Sequence, residues 1–247
     1  MKKLIVQKAH ELGFAVCRVT TADPVEPDLL NSWLEDGHHG HMRYMARDPE
    51  RRCDPKSLLP EAKSVICCAL AYGEKGLVFD NRTTEIAQDH ENVARFARGA
   101  DYHVVVREKL GELVEAIRER VPEAKTKSCV DTSPILEKVI AARAGVGWIG
   151  KHTLLINPDY GSWFVLGEII TNIELEPDEP IKNLCDACAK CVEKCPTNAL
   201  KGSSLDARKC ISYLTIECKD GAKGNSYGCD VCQEVCPYNV VQCEGKN

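Results

Sequence analysis

Cysteine spacing constrains this chain more than any other feature, because seven of its 15 cysteines stand in two short runs near the C-terminus. The first run, CDACAKCVEKCP, contains Cys185, Cys188, Cys191 and Cys195 at the spacing C-x2-C-x2-C-x3-C-P. The second run, CDVCQEVCP, contains Cys229, Cys232 and Cys236 at the spacing C-x2-C-x3-C-P. Such regular spacing predicts that these thiols bind inorganic groups rather than fill a core.

The first run has the spacing of a bacterial ferredoxin, in which three thiolates bind one 4Fe-4S cluster and the fourth binds a second cluster. The second run lacks its first cysteine, since Ser226 occupies that position. Cys210 and Cys218 are the nearby candidates for the missing ligand, and we favour Cys210. The crossed ferredoxin pattern then predicts two clusters, one bound by Cys185, Cys188, Cys191 and Cys236 and the other by Cys195, Cys210, Cys229 and Cys232.

Zinc sites and a disulfide framework are the alternatives for these cysteines. Short C-x2-C pairs alone suit zinc, but both runs end in x3-C-P, which favours iron–sulfur clusters. The N-terminal apolar stretch breaks at Gln7, so it does not form a secretion signal, and a cytoplasmic, reducing location is expected. The remaining cysteines are expected to be buried apolar residues or loop thiols; they are Cys17, Cys53, Cys67, Cys68, Cys129, Cys218 and Cys243.

Hydrophobic periodicity predicts an α/β (α+β) N-terminal domain over residues 1–175 and a ferredoxin-like double 4Fe-4S module over residues 176–247. The predicted helices cover residues 2–13, 27–36, 102–120 and 134–144. The predicted strands cover residues 14–20, 64–71, 127–130, 153–156 and 163–171. The net charge of -5 does not indicate a broad nucleic-acid surface, and no apolar segment approaches the roughly 20 residues that span a bilayer.

Long segments of the chain closely resemble the epoxyqueuosine reductase family. They include VDTSPILEKVIAARAGVGWIGKHTLLINPDYGSWFVLGEIIT at 130–171, RFARGADYH at 95–103 and CISYLTIE at 210–217. The resemblance implies an enzyme that uses cobalamin and two 4Fe-4S clusters to convert epoxyqueuosine to queuosine in tRNA. Members of this family commonly carry a C-terminal helical-repeat domain that grips tRNA. This sequence ends at Asn247, so a short form without that domain is expected.

The resemblance also implies roles for individual residues. Asp131 matches the family's proposed proton donor, with the N-cap of the helix at 134–144 as the alternative role. Glu137 is interpreted as a first-turn residue favoured by the helix dipole rather than a second acid. For His103 and Lys151, an ordinary surface or capping role is the alternative to cobalamin binding. The full set of expected cobalamin contacts is His103, Ser133, Gly147, Trp148, Lys151, Ser162, Trp163 and Ser212.

The implied reaction is the reductive deoxygenation of an epoxide, with electrons supplied by an unidentified low-potential donor. The protein is expected to be a monomer and not to associate with a membrane. Two other functions remain open from the sequence. One is a ferredoxin-like protein that only relays electrons. The other is a corrinoid reductase that acts on a substrate other than tRNA, as reductive dehalogenases do.

Overall fold

The computed structural model describes residues 1–73, 92–218 and 226–239, in which helices and short strands alternate along the chain. The helices are α1 (Lys2–Glu11), α2 (Asp28–Glu35), α3 (Arg43–Ala46), α4 (Pro49–Cys53), α5 (Tyr102–Arg118), α6 (Glu137–Arg143), α7 (Lys190–Lys194), α8 (Ile211–Ile216) and α9 (Val231–Glu234). The strands are β1 (Val16–Thr21), β2 (Ser64–Ala71), β3 (Thr126–Cys129), β4 (Trp148–Ile149), β5 (Leu155–Ile156), β6 (Phe164–Thr171), β7 (Leu200–Lys201) and β8 (Ser204–Leu205).

A four-stranded sheet in the order β1-β2-β6-β3 forms the centre, and every neighbouring pair is antiparallel. The sheet is covered on both faces, which explains the continuous apolar run of β2. On β2, Ile66 and Cys68 pack in the cluster that contains α1 and α5. Val65 and Cys67 point to the opposite face and pack in the cluster that contains α6. The predicted α+β fold class is confirmed, with helices on the two faces of one antiparallel sheet.

The observed start of α6 corrects the predicted helix at 134–144. Helical structure begins at Glu137, so Pro134 lies outside the first turn. Asp131 has a left-handed backbone with φ of 48°, and local hydrogen bonds from Thr132 N–H to the Val130 carbonyl and from Ile135 N–H to the Ser133 carbonyl turn the chain. Residues 130–136 therefore form a loop of consecutive turns, which we call the Asp131 loop.

The strand predicted at 153–156 is also shorter than expected. It comprises only Leu155–Ile156, because Thr153 has a left-handed φ of 64° and its N–H donates to the Gly150 carbonyl in a turn. A turn residue of this kind cannot continue the extended backbone of a strand.

The C-terminal part of the chain contacts α1, α2 and β1 of the N-terminal part. Asp178 accepts hydrogen bonds from the Lys2 ammonium at 2.8 Å and from the Val19 N–H at 2.9 Å. The Trp33 indole N–H donates to the Leu205 carbonyl at 2.7 Å. The division of the chain at residue 175 therefore stays a prediction. No helix within residues 1–73, 92–218 and 226–239 is long and apolar enough to cross a membrane.

Five cysteines outside the two runs are buried, as the sequence predicted: Cys17, Cys53, Cys67, Cys68 and Cys129. Cys218 is partly exposed, which is compatible with a loop thiol. Cys243 lies outside the described residues.

Candidate functional site

Two separate groups of four cysteine side chains surround two cavities. The first cysteine group, Cys185, Cys188, Cys191 and Cys236, lines a cavity of about 200 Å³. The second cysteine group, Cys195, Cys210, Cys229 and Cys232, lines one side of a cavity of about 360 Å³, which we call the main cavity. Cys218 lines neither cavity. The structure thus brings together the same two sets of thiols that the crossed ferredoxin pattern predicts.

Neighbouring groups position these thiols. The Trp148 indole N–H lies 3.4 Å from the Cys185 sulfur, and the Ala199 N–H donates to the Cys195 sulfur at 3.3 Å. Burial, followed by the neighbouring thiol of Cys229, raises the pKa of Cys232 to about 12. Because iron binds the thiolate, loading a cluster at this site would release protons.

The Lys151 ammonium forms hydrogen bonds with the loop that carries the first cysteine group. It donates to the carbonyls of Asp186 at 2.7 Å and Cys188 at 2.8 Å. Lys151 is therefore placed at the first cysteine group and does not line the main cavity. Gly147 lies against the Ile156 carbonyl, where any side chain would collide with backbone. Lys151 was expected to touch cobalamin, but the turn before β5 directs it to the cysteine loop. Gly147 also lies outside the wall of the main cavity.

The main cavity is walled largely by apolar and aromatic side chains, including Tyr72, Phe96 and Tyr102. Two of the expected cobalamin contacts, Ser162 and Ser212, lie on its wall. The Ser162 hydroxyl donates to the Gln233 side chain at 2.9 Å and accepts from the Asn239 amide at 2.9 Å. Ser162 thus links the start of β6 to α9, next to the second cysteine group.

Trp163, also expected to touch cobalamin, lies behind the wall residue Tyr72, and Ser133 lies in the Asp131 loop. Trp163 is buried and packs edge-on against Tyr72, with the Arg95 guanidinium 4.3 Å from its ring centre. The Ser133 side chain interacts with the Cys129 thiol. Neither residue is part of the wall of the main cavity.

His152 is a wall residue that the sequence did not single out, although it follows Lys151 directly. It is 3% exposed and lines both the main cavity and the cavity of the first cysteine group. Burial lowers the pKa of His152 to about 4, so the ring is neutral near pH 7. Its Nδ1 accepts from the Leu154 N–H at 3.2 Å, which leaves the hydrogen on Nε2. That Nε2 is buried and has no hydrogen-bond partner among the residues that the structure describes.

This unpaired N–H tests whether the main cavity suits a large cofactor. A buried donor without an acceptor costs about 1 to 3 kcal/mol, and an acceptor group on a bound molecule would remove that cost. The apolar walls and the hydroxyls of Ser162 and Ser212 suit a molecule that is mostly apolar with a few polar substituents. The residues present therefore fit a corrin.

Asp131 lies beside a different cavity of about 600 Å³, which also has Tyr44, Arg52 and Glu217 on its wall. Lys138 lines both this cavity and the main cavity. The Asp131 side chain is 58% exposed, so it borders this cavity rather than being buried. The alternative role of Asp131 as an N-cap is wrong, because Leu136 precedes the first residue of α6.

Two residues at the start of α5 face the Asp131 carboxylate. The His103 Nε2 lies 3.3 Å from Asp131 Oδ2, while its Nδ1 lies 2.8 Å from Asp101 Oδ1. Burial, followed by the nearby charges of Asp131 and Glu137, raises the pKa of the Tyr102 hydroxyl, which interacts directly with Asp131. His103 was expected to touch cobalamin, and the structure places it against the predicted proton donor instead.

A pair of acidic residues lies behind the Asp131 loop. Glu137 is the first residue of α6, as its first-turn interpretation requires, and its Oε1 accepts the Asp131 N–H at 2.6 Å. Burial, opposed by an interaction with Glu168, raises the pKa of Glu137 to about 7. Burial and the neighbouring Glu137 raise the pKa of Glu168 well above its usual value. The sequence signal for Glu168 was a single charged residue inside the apolar strand FVLGEIIT.

Family models match two parts of the chain. Residues 52–132 match "Epoxyqueuosine reductase QueG, DUF1730", and residues 184–239 match the 4Fe-4S double cluster binding domain. The second match confirms the prediction of two 4Fe-4S clusters. Epoxyqueuosine reductase of Leadbetterella byssophila is 38% identical over 96% of this chain and 79% of the relative. The chain belongs to the epoxyqueuosine reductase family.

A further relative, from Vibrio cholerae, is 41% identical over 95% of this chain and 66% of its own length. Three solved epoxyqueuosine reductases share the fold. The Streptococcus thermophilus structure has a TM-score of 0.83 at 35% identity, and a complex with an epoxyqueuosine-modified tRNA-Tyr stem loop has a TM-score of 0.82 at 36% identity. The match covers 97% of this chain in both cases, and 66% and 65% of those chains.

The third structure, from Bacillus subtilis, has a TM-score of 0.80 at 34% identity and shows a catalytic aspartate loop swung out of the active site. It covers all of this chain and 66% of that chain. A reductive dehalogenase described in terms of B12-dependent chemistry has a TM-score of 0.61 at 15% identity, which shows a shared fold. The chain thus spans about two thirds of the length of the solved family members.

Proposed function

We propose that this protein is a cobalamin-dependent iron–sulfur reductase that converts epoxyqueuosine to queuosine in tRNA. One observation carries the proposal. The second cysteine group lines the main cavity, and that cavity shares Lys138 with the cavity of Asp131. The cluster ligands, a space suited to a corrin and a candidate acid therefore lie around two adjacent cavities. A protein that only relays electrons would not need the last two.

The overall reaction breaks both carbon–oxygen bonds of the epoxide, forms a carbon–carbon double bond and releases the oxygen as water. It consumes two electrons and two protons. Cobalamin, when bound, supplies a cobalt centre that can take up both electrons. His152, Ser162 and Ser212 would hold the corrin in the main cavity.

The two cysteine groups would each hold one 4Fe-4S cluster, with Cys210 rather than Cys218 as the eighth ligand. Asp131 would donate a proton to the leaving oxygen, oriented by Tyr102 and His103. The Asp131 loop would correspond to the catalytic aspartate loop that the Bacillus subtilis structure shows displaced. A low-potential electron donor, a cytoplasmic location and a monomeric state complete the proposal.

The decisive experiment is anaerobic. Protein reconstituted with iron and sulfide is incubated with cobalamin, a low-potential chemical reductant and tRNA containing epoxyqueuosine, and the nucleosides are analysed by mass spectrometry. Queuosine should form at the expense of epoxyqueuosine, and omission of cobalamin should abolish the conversion. Full cluster loading and cobalamin binding without any conversion would contradict the proposed activity. An epoxyqueuosine-modified tRNA-Tyr stem loop is a suitable second substrate, because a related enzyme has been solved with one.

A further inference from the structure

Glu168 occupies a position that ordinarily holds an apolar residue. It lies in the middle of β6, it is 0% exposed, and its cross-strand neighbours are Cys67 on β2 and Cys129 on β3. Within the described part of the chain, no lysine or arginine forms an ion pair with Glu168, and neither of its side-chain oxygens has a partner at hydrogen-bond geometry. A buried carboxylate without a counter-charge is strongly disfavoured, so Glu168 carries a proton.

Glu137 connects this buried acid to the Asp131 loop. Its carboxyl interacts with that of Glu168, while its Oε1 accepts the Asp131 N–H at 2.6 Å. Asp131 has a φ of 48°, a left-handed conformation that few non-glycine residues adopt, and the hydrogen bond from its N–H to Glu137 helps to hold it there. The Asp131 side chain itself interacts with His103 and Tyr102.

We propose that Glu137 is a positioning residue that holds the Asp131 loop in its active conformation by accepting the Asp131 N–H, with the buried, protonated Glu168 behind it. This inference rests on the proposed function for the role of Asp131, but the loop restraint itself can be measured separately. Because Glu168 keeps its proton, Glu137 is the carboxyl of the pair that ionises. Glu137, ionised, then accepts the Asp131 N–H in a charge-assisted hydrogen bond, which is about twice as strong as a neutral one.

The restraint should depend on pH. Two close carboxyls in a buried site cannot both ionise readily, so the pair holds one proton near neutrality and two at lower pH. When Glu137 also becomes protonated, its hydrogen bond to the Asp131 N–H loses the assistance of charge. The titratable groups that face the pair from the surrounding elements are Cys67 on β2, Tyr102 on α5, Cys129 on β3, Asp131 on the loop and Lys138 on α6.

Hydrogen exchange at the Asp131 amide tests the restraint without any turnover. The protection factor of this amide, corrected for the intrinsic effect of pH, is measured in the cluster-loaded protein between pH 6 and pH 8. It should rise on the order of tenfold across this range in the wild-type protein. In E137Q, which keeps the side-chain size and an acceptor oxygen but cannot ionise, the rise should vanish. A rise of equal size in E137Q, or no rise in the wild type, would overturn the proposal.

Two further variants separate positioning from simple structural support. E168Q replaces the protonated Glu168 with a neutral side chain of similar size, so the pH-dependent protection should persist. E112Q, on the exposed face of α5, is the matched control and should not change the protection. Loss of the protection step in E168Q would show that the pH dependence does not come from the ionisation of Glu137.

Single-turnover rates connect the restraint to catalysis. E137A removes the acceptor of the Asp131 N–H and should lower the rate by about 10- to 100-fold while iron content and cobalamin absorbance stay unchanged. Normal turnover in E137A would refute the positioning role. If the wild type itself does not convert epoxyqueuosine, the proposed activity fails, whereas the exchange experiment still decides whether Glu137 restrains the loop.

Discussion

Asp131 combines a strained backbone with an exposed carboxylate, which is unusual for a residue whose role is purely structural. Its φ is 48° and its side chain is 58% exposed. Backbone strain of this kind persists only where surrounding contacts enforce it, and it concentrates at functional sites. His103, Tyr102 and Glu137 supply those contacts from two helices.

Replacing Asp131 with Asn removes the acidic proton but preserves the shape of the side chain. D131N keeps an oxygen acceptor and tolerates the left-handed conformation, so melting temperature, iron content and cobalamin binding should persist. Turnover should fall by a factor of about 10² to 10⁴, the usual cost of a lost general acid. D131A should lose turnover as well and also melt at a lower temperature, since alanine tolerates this conformation poorly. Thermal melting and single-turnover assays of both variants check these outcomes, and near-normal turnover in D131N would remove Asp131 from the mechanism.

Individual residues differed in how well the sequence predicted their place. The grouping of the cysteines followed from spacing alone, because a short run of ligands forces its members to one locality. His103 was assigned to cobalamin, yet it faces Asp131, which is 28 residues away in the chain. Such a contact depends on the packing of α5 against the loop that follows β3, and no local pattern reports it. Glu168 was overlooked because the apolar character of β6 predicts only that the strand is buried.

At the scale of elements, β2 and α5 lie where periodicity placed them. β2 matches its predicted range at both ends, and α5 starts at the predicted Tyr102 and ends two residues earlier than expected. Both elements have strong local signals; β2 packs in both apolar clusters, and α5 packs in the one that also contains α1. The predicted start of the helix at Pro134 was wrong. The residues after Pro134 that were expected to form its first turn belong instead to the turns of the Asp131 loop.

The buried acid of β6 should make stability depend on pH. The pKa of Glu168 is raised in the folded protein, so the folded state retains this proton more readily than the unfolded chain. Its contribution to stability is therefore fully present below the unfolded pKa of about 4.3 and is lost as pH rises above that value. Because E168Q has no such titration, it should gain melting temperature relative to the wild type on going from pH 5 to pH 8. A pH-independent difference in melting temperature would contradict this assignment, and E112Q should follow the wild type throughout.

At the scale of the whole molecule, the iron content of the protein and its variants tests the two proposed sets of cluster ligands. Anaerobically reconstituted protein should hold about eight iron and eight sulfide per chain, the content of two 4Fe-4S clusters. C210A should lose roughly half of the iron, because Cys210 lines the main cavity with the other three thiols of the second group. C218A is the matched control and should keep full loading, since Cys218 lies on neither cavity. If C218A loses half of the iron and C210A does not, Cys218 rather than Cys210 is the eighth ligand.

The crossed cysteine groups also bear on how the chain would survive exposure to air. Cys185 and Cys236 lie at the two ends of a 52-residue stretch yet line one cavity, and Cys195 and Cys232 line the other. A cluster in each group would close overlapping loops, much as a cross-link does, and so lower the entropy of the unfolded chain. Oxidative loss of iron would open both loops at once. Oxidative loss of the clusters should therefore lower the free energy of unfolding of the C-terminal part, and not only interrupt electron transfer.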